Sequence, residues 1–369
     1  MSTEYSVQIS VLTPVYNVEA YLDQCLDSLA RQTFQDFEVI CINDGSTDNS
    51  RAILAGYQAS DSRFRLIDQA NTGYGAAMNR GLAAARGRYI AILESDDWAE
   101  PTMLAALFSA AQTFTAEVVR ANCWLYWTQP RERNVFNPLV PAGQSDQLID
   151  PQQDRRIMEM PPAIWSGLYS RDFLEREDIR FLETPGASYQ DTAWAFKVWA
   201  AARRAVFLRE ALVHYRQDNQ NSSVNAPGKV FCVMDEYQEM QRWLTARAAR
   251  LAEPIDPQLL SVKARMKLHT YFWNYDRLAP QWQSEFLERM VAELQADQQS
   301  GSLDEQWLEP WSQRELRLLL QKPQKFIELR QLYQHGRWGR MLYYWRLGGP
   351  GLLVQVLRAR RGNLPRSAR

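Results

Sequence analysis

The sequence predicts an α/β protein with a doubly wound, mostly parallel sheet, followed by an α-helical C-terminal region. Segments typical of strands and helices alternate four times within the first hundred residues, which is the pattern of such a sheet. Residues 89–93 form an apolar run with the length and uniformity of a strand buried on both faces. From about residue 228 onward only helical patterns occur.

Each strand predicted in the first hundred residues is an apolar run that ends in polar or turn-forming residues. The helix after the first strand has one apolar stripe, in which residues recur at spacings of one, three and four. The predicted strands are residues 7–13, 37–42, 64–67 and 89–93, and the helices between them cover about 19–30, 48–58 and 73–85.

The next segment, residues 124–162, is rich in Pro, Gln, Arg and Asn and has weak periodicity. It is interpreted as an excursion or flexible region. Order is predicted to return with a strand or strand end at 163–169, a short helix at 171–177, a helix beginning at 189–192, and short strands at 206–208 and 212–215.

Composition narrows the functional class. The chain of 369 residues carries 42 Lys and Arg against 43 Asp and Glu, a balance that argues against a general polyanion binder, so no nucleic-acid partner is expected. The four cysteines are scattered without a CxxC pair, which favours a reducing compartment. Neither a leader nor an apolar stretch of about 18 residues is found, so we expect a cytoplasmic protein.

The central strand is followed directly by Glu94, Ser95, Asp96 and Asp97. Ligands bind at the carboxyl edge of an open α/β sheet, and hard oxygen ligands there suit Mg²⁺ or Mn²⁺ bridging to phosphates. Crowded like charges cost energy unless a cation neutralises them. A second interpretation is that Asp and Ser cap the next helix, with Pro101 near its start. The two interpretations are compatible.

The first turn between strand and helix excludes two common nucleotide-binding classes. It consists of Pro14, Val15, Tyr16 and Asn17, and contains no GxGxxG sequence. No Walker-type lysine loop occurs either. Dinucleotide-dependent oxidoreductases and P-loop enzymes are therefore not expected.

Five separately placed motifs occur in a characteristic order. With these residues the chain resembles family 2 glycosyltransferases of the GT-A fold over roughly residues 5–225. The resemblance implies an inverting transfer of a sugar from a nucleotide-diphosphate donor, UDP-linked in many members, with Mg²⁺ or Mn²⁺. It also implies a surface-glycan or lipid-linked acceptor in polysaccharide biosynthesis. The motifs lie at 11–17, 43–48, 73–81, 94–97 and 190–191.

The same resemblance implies a domain organisation. The GT-A glycosyltransferase domain would cover 1–225, with a nucleotide-binding half at about 5–122 and an acceptor or catalytic half at about 163–225. Outside the resemblance, the helical patterns and the arginine-rich end predict a helical C-terminal domain at 226–329 and a basic amphipathic tail at 330–369.

Matching the motifs residue by residue implies a nucleotide-sugar pocket. Asp44 would accept hydrogen bonds from the base or ribose of the donor, and its alternative role is an Asx-turn or helix cap. Arg216 could contact the diphosphate, or form a surface salt bridge. The other implied members of this pocket are Pro14, Val15, Asn17, Asn79, Glu94 and Ser95.

The implied catalytic and metal residues are few. Asp96 matches the metal-contacting carboxylate, with Glu94 and Asp97 as ribose, metal or supporting partners. His214 stands where some members place a metal or phosphate ligand, although a lone histidine more often packs or forms hydrogen bonds. Asp191 matches the general base, and its alternative role is to cap the helix that follows.

Two residues are matched to the acceptor side. Trp165 could form a wall against sugar C–H surfaces, or it could be a core residue. Gln190, directly before the implied base, would lie beside the acceptor.

The sequence departs from the family pattern at four positions. Glu94 replaces the usual Asp, Gln190 replaces a frequent Glu, Met78 stands where many members carry Arg before Asn79, and Gly167 stands where Lys is frequent. These departures motivate an alternative, a catalytically degenerate member that binds nucleotide or partner proteins. A nucleotidyltransferase on a similar sheet is a further alternative, but its usual first loop, rich in Gly and bearing Lys or Arg, is missing.

The last forty residues differ in charge from the rest of the chain. From Arg330 onward there are nine Arg and no Asp or Glu, so residues 1–329 carry a net charge of −10. An aromatic stripe interleaved with arginines precedes the helix-breaking residues 348–351. Such a segment could lie on the inner face of the plasma membrane as a peripheral attachment. Alternatively it is a helix docked on the acidic body with a disordered end. The stripe comprises Trp338, Met341, Leu342 and Trp345, with Arg337, Arg340 and Arg346.

Overall fold

The computed structural model describes residues 5–186, 188–219 and 230–362. The chain forms two compact units, Met1–Glu253 and Pro254–Arg369. The first unit is an α/β structure and the described part of the second is helical. The predicted fold class, a mostly parallel sheet followed by a helical region, is therefore confirmed.

Four parallel strands form the first half of the sheet in the order β3-β2-β1-β4. Their register is set by long apolar runs, since Val11 of β1 lies opposite both Val39 of β2 and Ala91 of β4. Both faces of β1, β2 and β4 are buried, which explains why the sequence shows continuous apolar runs there rather than alternation. The strands are β1 Val7–Val15, β2 Phe37–Asp44, β3 Phe64–Gln69 and β4 Gly87–Ile92.

Three helices connect these parallel strands. The first buries its apolar stripe of Leu22, Cys25, Leu26 and Leu29. The third begins at Tyr74 and is built from small residues, so it packs closely on β1 and β2. The helices are α1 Glu19–Ala30, α2 Ser50–Ser60 and α3 Tyr74–Ala84.

The second half of the sheet is mixed and continues from β4 in the order β9-β6-β10-β5. Strand β9 is antiparallel to both β4 and β6, whereas β10 is parallel to β6. The elements are β5 Trp98–Ala99, α4 Met103–Phe114, β6 Val118–Trp127, β7 Arg133–Asn137, β8 Leu148–Ile149, β9 Gly167–Ser170, α5 Arg171–Arg176, α6 Gln190–Ala201 and β10 Ala205–Arg216.

Two predicted features of this half differ in the structure. The segment 124–162 is not a featureless excursion, because it contains the end of β6, the strands β7 and β8, and a short 3-10 helix. Strand β7 is almost entirely exposed, so its sequence carries no apolar run that would have revealed it. The two short strands predicted at 206–208 and 212–215 are one strand, β10, interrupted by register shifts between Phe207 and Val213.

Helix α7, Cys232–Leu251, closes the first unit. It packs on α6, and the indole of Trp243 donates a hydrogen bond to the carbonyl of Glu177 at 3.0 Å. The side chains of Arg247 and Arg250 pair with the Glu177 carboxylate, also at 3.0 Å. The compact unit thus ends after α7 rather than at the predicted boundary near residue 225.

The second unit contains five helices among its described residues. Four of them begin with a proline, which needs no hydrogen-bond partner for a backbone N–H in the first turn. The last helix is broken at Gly348 and Gly349, and a single compact unit includes residues 254–329 of the predicted helical domain together with the predicted tail. Residues 363–369 of that tail lie outside the described residues. The helices are α8 Pro257–Tyr275, α9 Pro280–Gln299, α10 Pro310–Gln321, α11 Pro323–Tyr333 and α12 Gly336–Gly362.

Buried ion pairs join the helices of this unit. The guanidinium of Arg330 donates to both carboxylate oxygens of Asp276 at 2.8 Å and to Glu315 at 3.1 Å. Tyr343 donates to the same Glu315 carboxylate at 2.7 Å. Among the described helices, none combines the length and the apolar character needed to cross a bilayer.

Candidate active site

The candidate site lies at the carboxyl edge of the parallel strands. Strands β1 and β2 end at Val15 and Asp44, and the acidic stretch 94–97 follows β4. Parallel strands bring these ends together because their side-by-side register is fixed along the whole length of each strand. The structure therefore assembles the predicted motifs of the first hundred residues at one edge.

Asp44 connects the end of β2 to the loop before α3. Its Oδ1 accepts hydrogen bonds from the Gln69 side chain at 2.7 Å and from the Thr72 N–H at 2.9 Å, and its Oδ2 accepts from the Gly73 N–H at 2.9 Å. Asp44 forms neither an Asx-turn nor the cap of the helix that follows, which were the alternative roles considered from sequence. Asp44 holds the 69–73 loop at the site edge.

The first turn is held in a similar way by Asn17, which has a positive φ of 52°. Its Oδ1 accepts from the Thr47 N–H at 2.7 Å, and its own N–H donates to the Ser46 hydroxyl at 3.1 Å. The side chains of Pro14 and Val15, at the end of β1, are buried. The neighbouring Tyr16 is 49% exposed.

Two glycines allow the loop 182–186 to rest on the start of α3. Gly73 has a φ of 95°, and a Cβ there would collide with the carbonyl oxygen of Thr184. A Cβ on Gly75 would collide with the carbonyl oxygen of Leu182. The contact is completed by the Tyr74 N–H, which donates to the Gly186 carbonyl at 2.9 Å. The loop that leads into α6 is thereby fixed against the start of α3.

Asn79 fastens the same loop further along α3. Its amide nitrogen donates to the Phe181 carbonyl at 3.0 Å and to the Glu183 carboxylate at 2.9 Å, and its oxygen accepts from the Phe181 N–H at 2.9 Å. Met78 is fully buried, whereas Arg80 is exposed and lines an open cleft together with Asn79. The position where many family members carry Arg faces the core in this chain.

Glu94 is held by Tyr74, whose hydroxyl donates to Oε1 at 2.7 Å. Burial raises the pKa of Glu94 to about 8; the Tyr74 hydrogen bond opposes this, and the charges of Asp96 and Asp191 add to it. The carboxyl group of Glu94 therefore holds its proton at neutral pH unless a cation approaches.

Asp96 and Asp97 are joined to the end of β10. The Arg216 N–H donates to Oδ1 of Asp97 at 2.8 Å, and its guanidinium donates to the Asp96 carbonyl at 2.9 Å. Asn219 donates to Oδ2 of Asp96 at 2.8 Å. Asp97 is buried, and its Oδ2 has no hydrogen-bond partner among the described residues. Burial raises its pKa well above the ordinary value, and the charges of Asp96 and Glu94 contribute.

Arg216 is buried rather than part of a surface salt bridge. Its side chain lies over the rings of Tyr21 and Tyr126, at 4.6 and 5.0 Å, and also donates to Gln24. The Asp218 carboxylate is 4.0 Å away. In this structure the guanidinium organises the backbone of the acidic stretch.

Asp191 occupies the first turn of α6, behind the loop that rests on α3. The helix cap is Tyr189, with a φ of 59°, so Asp191 is not the N-cap residue considered from sequence. Burial raises the pKa of Asp191 to about 6, against hydrogen bonds from Thr192 and the first-turn amides that lower it. Its charge raises the pKa values of both Tyr74 and Glu94. The structure thus brings Asp191 to the same site as the acidic stretch.

Gln190 binds the loop before α6. Its Oε1 accepts from the Ser188 N–H, and its amide donates to the Thr184 hydroxyl at 2.9 Å and the Gly186 carbonyl at 3.3 Å. Only 2% of this residue is exposed. It shapes the loop that precedes α6 and Asp191, and its amide hydrogens bond to groups of that loop.

Trp165 lies in a short 3-10 helix directly before β9. Its ring packs on Tyr215 with centroids 4.8 Å apart, and it also borders the core of the first unit. Burial and four neighbouring carboxylates, Asp97 first among them, raise the pKa of Tyr215 to about 12.

His214 packs and forms hydrogen bonds, which is the second of the two roles considered from sequence. Its ring stacks on Trp98 with centroids 3.4 Å apart. Nδ1 lies 2.8 Å from the Asn134 side-chain oxygen, and Nε2 lies 2.8 Å from a Glu100 carboxylate oxygen. Burial lowers the pKa of His214, while Glu100 opposes this. Both ring nitrogens are therefore occupied, and the ring would have to leave Asn134 or Glu100 to bind a cation.

Within the part of the chain that the structure describes, no group of three or more His, Cys, Asp or Glu is arranged to hold a metal ion. The donor set nevertheless fits a hard cation in its chemistry. Asp96 keeps Oδ1 without a hydrogen bond from the described residues, and Asp97 has a buried oxygen without a partner. Carboxylate oxygens of this kind are the ligands that Mg²⁺ and Mn²⁺ prefer.

Two tyrosines of the site were not predicted from the sequence. Tyr74 connects Glu94 to the Asp191 loop, and Tyr215 lies among the acidic residues. Tyr74 stands between two glycines in the sequence Gly73-Tyr74-Gly75, which was the available signal. Tyr215 carried none, because it follows His214 in a strand where a packed aromatic residue is ordinary.

The departure at Gly167 has a steric reason. A Cβ there would lie 2.7 Å from the Val119 carbonyl oxygen, where β9 pairs with β6. A lysine cannot enter this position unless the strands move. Any positive charge that a ligand needs must therefore come from another residue.

Comparison with known proteins places these observations in a family. The model described as glycosyl transferase family 2 matches residues 10–138. The uncharacterized glycosyltransferase EpsJ of Bacillus subtilis is 34% identical over 244 residues, which cover 63% of this chain and 67% of that protein. Glycosyltransferase GlyG of Streptococcus pneumoniae is 31% identical over 219 residues, covering 57% of this chain and 70% of that protein. The alignments thus reach about two thirds of the length of each relative.

A solved structure shares the fold. The crystal structure of S. aureus TarS 1–349 in complex with UDP-GlcNAc superposes with a TM-score of 0.69 at 18% sequence identity. The match covers 89% of this chain and 92% of that chain. At this identity the likeness concerns the fold alone.

Proposed function

Because this chain belongs to glycosyltransferase family 2 and is a glycosyltransferase, we propose that it transfers a sugar from a UDP-linked or related nucleotide-diphosphate donor with inversion at the anomeric carbon. The acceptor proposed is a hydroxyl group of a surface glycan or a lipid-linked glycan. The site at the carboxyl edge of the sheet supports this proposal, with Asp191 as general base.

One observation carries the proposal. Tyr74 bonds through its N–H to Gly186, in the loop before Asp191, and through its hydroxyl to Glu94, which follows β4. A single residue therefore ties the implied base to the implied donor and metal side. An inverting displacement needs such an arrangement, because base and leaving group must stand on opposite faces of one sugar.

The donor is proposed to lie along the edge held by Asp44 and Asn17. These residues fix the loops 69–73 and 46–48, and the half-exposed Tyr16 offers an aromatic face for a base. TarS has been solved with UDP-GlcNAc, which motivates a nucleotide-diphosphate sugar as the donor class. Ser95 and Asn79 are also proposed to lie along this edge, and Arg216 is proposed to support the acidic stretch.

A divalent cation is proposed at Asp96, with Glu94 close by. When bound, Mg²⁺ or Mn²⁺ would stabilise the negative charge that develops on a diphosphate leaving group. The protein's own contribution is to hold Asp96 by Asn219 and by the Arg216 contact with its carbonyl. These contacts keep the carboxylate in place, since they are independent of any ligand.

Asp191 is proposed to take the proton of the acceptor hydroxyl as the hydroxyl attacks the anomeric carbon. With a pKa raised to about 6, most of its carboxyl group is ionised at neutral pH, yet it is a stronger base than an ordinary aspartate. The bond to the acceptor oxygen forms while the bond to the nucleotide diphosphate breaks, and the proton ends on Asp191.

The test is a donor screen that measures the released nucleotide. Several nucleotide sugars are incubated with the full chain and a panel of acceptors, in Mg²⁺, in Mn²⁺ and in EDTA. We expect one donor to release nucleoside diphosphate with a divalent cation and to lose most of that activity in EDTA. Binding of nucleotide without turnover on any acceptor would favour the degenerate alternative, and release of pyrophosphate from a nucleoside triphosphate would favour a nucleotidyltransferase.

A further inference from the structure

The first segment of α12, residues 336–347, has two faces of different chemistry. One face is buried within the second unit, where Tyr343 and Tyr344 pack against Tyr333 at centroid distances of 5.3 and 6.1 Å. The other face is exposed although it is apolar. Trp338 is 78% exposed, Trp345 52% and Leu342 42%. The aromatic stripe predicted from sequence is therefore not the face that packs.

The exposed stripe is narrow and continuous. At 100° per residue, Trp338, Leu342 and Trp345 fall within about 60° of the helix circumference. Arg337 and Arg346 are exposed as well and flank the stripe on either side, at about 100° and 80° from Trp338 around the helix axis. The arrangement is an apolar ridge bordered by guanidinium groups.

The segment after the break at Gly348 and Gly349 repeats the pattern. Leu352 and Val356 are buried in the unit, while Val354 and Leu357 are 44% and 40% exposed. Arg358 is exposed beside them. Two successive helical segments thus present apolar residues together with arginine to the solvent.

The charge of the region selects one class of partner. Residues 331–369, after the ion-paired Arg330, carry eight Arg and no acidic residue, whereas residues 1–330 have a net charge of −9. Indole rings favour the boundary between hydrocarbon and water, and arginines beside them attract anionic headgroups. The first segment has twelve residues, about 18 Å of helix, which suits lying in the interface and is too short to span it.

We propose that the exposed face of α12, defined as Trp338, Leu342, Trp345, Arg337 and Arg346, binds the surface of an anionic lipid bilayer. The tryptophans enter the headgroup region, and the arginines contact lipid phosphates. This proposal does not depend on the donor, acceptor or base proposed above.

The test is co-flotation of the full chain with vesicles of phosphatidylcholine alone or with about a third phosphatidylglycerol. We expect binding to the anionic vesicles only, and weaker binding in high salt because surface charges are screened. The double variant W338Q/W345Q should lose at least about tenfold in vesicle partition, because the apolar area that enters the interface is removed. R337Q/R346Q should lose roughly tenfold or more, since each arginine near an anionic surface contributes about fivefold.

The control is Trp282→Gln, a change of another exposed tryptophan in the same unit, on α9. It should float like the unaltered chain, and all variants should keep the same thermal unfolding midpoint and the same nucleotide release with a soluble acceptor. Equal flotation of W338Q/W345Q and the unaltered chain would overturn the proposal. So would a dimer in sedimentation that the double variant abolishes while anionic vesicles fail to bind, because a second copy would then cover this face.

Discussion

Buried glutamate and aspartate residues at the two edges of the parallel sheet have pKa values that are shifted in opposite directions. At the amino edge, Glu38 is buried and accepts hydrogen bonds from Ser10, Arg65 and Arg86, which lower its pKa against the effect of burial. At the carboxyl edge, burial raises the pKa values of Glu94 and Asp97 and like charges raise them further.

The difference lies in the partners of these carboxylates: guanidinium groups bond to Glu38, whereas no guanidinium group of the described residues bonds to the carboxylate of Glu94 or Asp97. The Glu38 carboxylate accepts hydrogen bonds from several donors, two of which are guanidinium groups. The carboxyl edge has Arg216, but its guanidinium bonds to a backbone carbonyl and to Gln24 rather than to a carboxylate of the acidic stretch. Buried acids whose charge is not compensated are enriched at functional sites, which agrees with the cation and the general base proposed above.

The largest expected effect is on catalysis at the carboxyl edge. Asp191→Asn should lower nucleotide-sugar turnover by about 10² to 10⁴-fold, because the base for the acceptor proton is lost. Its stability should be equal to or above that of the unaltered chain, because burial disfavours the charge that the change removes. The measurements are kcat by nucleotide release and unfolding in urea. Asp36→Asn, a change of an exposed carboxylate, is the control and should keep full activity.

The pH profile sharpens the same prediction. The proposed base Asp191 must be ionised to accept a proton, and burial raises its pKa to about 6. Activity should therefore rise with pH through about 6 in the unaltered chain, and the small residual activity of Asp191→Asn should lack this rise. If the activity of Asp191→Asn rose with pH at the same midpoint, the titrating group would not be Asp191.

At the amino edge the expected effect is on stability. Glu38→Gln should cost about 3 kcal/mol of unfolding free energy, because an amide nitrogen would face the guanidinium groups of Arg65 and Arg86. Glu175→Gln, at a half-exposed pair with Arg171, should cost less than about 0.5 kcal/mol. Urea unfolding at pH 7 measures both. A cost for Glu38→Gln no larger than for Glu175→Gln would contradict the contrast between the edges.

Glu94→Gln should have the opposite sign to Glu38→Gln. The folded pKa of Glu94 is raised from 4.5 to about 8, so the folded chain keeps a proton that the unfolded chain releases between these values. Its contribution to the free energy of unfolding therefore falls as pH rises from about 4.5 to 8. At pH 8 the variant should be more stable than the unaltered chain by on the order of 2 kcal/mol, since partial exposure to water weakens the effect.

The test is urea unfolding of both proteins at pH 5 and pH 8. The gain from Glu94→Gln should be present at pH 8 and nearly absent at pH 5. Glu38 contributes in the reverse direction, because its lowered pKa gives stability above about pH 4.5 that is lost as pH falls through the folded value. A gain from Glu94→Gln that is the same at both pH values would refute the raised pKa.

The smallest expected effects on stability concern two glycines that lie in helices. Gly75→Ala should cost about 2 kcal/mol and lower turnover, because its Cβ would displace the Leu182 carbonyl and with it the loop before Asp191. Gly56→Ala is the matched change on α2, where nothing lies within 4 Å of the added Cβ. It should stabilise the chain by about 0.5 to 1 kcal/mol and leave turnover unchanged. Thermal unfolding and nucleotide release give both results.

Particular residues show which parts of the fold and the site could be predicted from the sequence. The apolar runs of β1, β2 and β4 predicted the parallel half of the sheet, and the polar residues after them predicted its binding edge. Strand β7 escaped prediction because it is exposed along its length. The roles of Gln190 and His214 could not be read from the sequence, since their hydrogen-bond partners come from other segments.

The sequence by itself determined the order of strands and helices, the acidic stretch after β4 and the surplus of arginine at the end, because periodicity and charge are local properties of the chain. Tertiary structure alone decided that Tyr74 joins Glu94 to the loop of Asp191, and that α12 buries Tyr343 while Trp338 stays exposed. Burial and long-range hydrogen bonds depend on which segments meet in space, and these contacts set the pKa values on which the proposed chemistry depends.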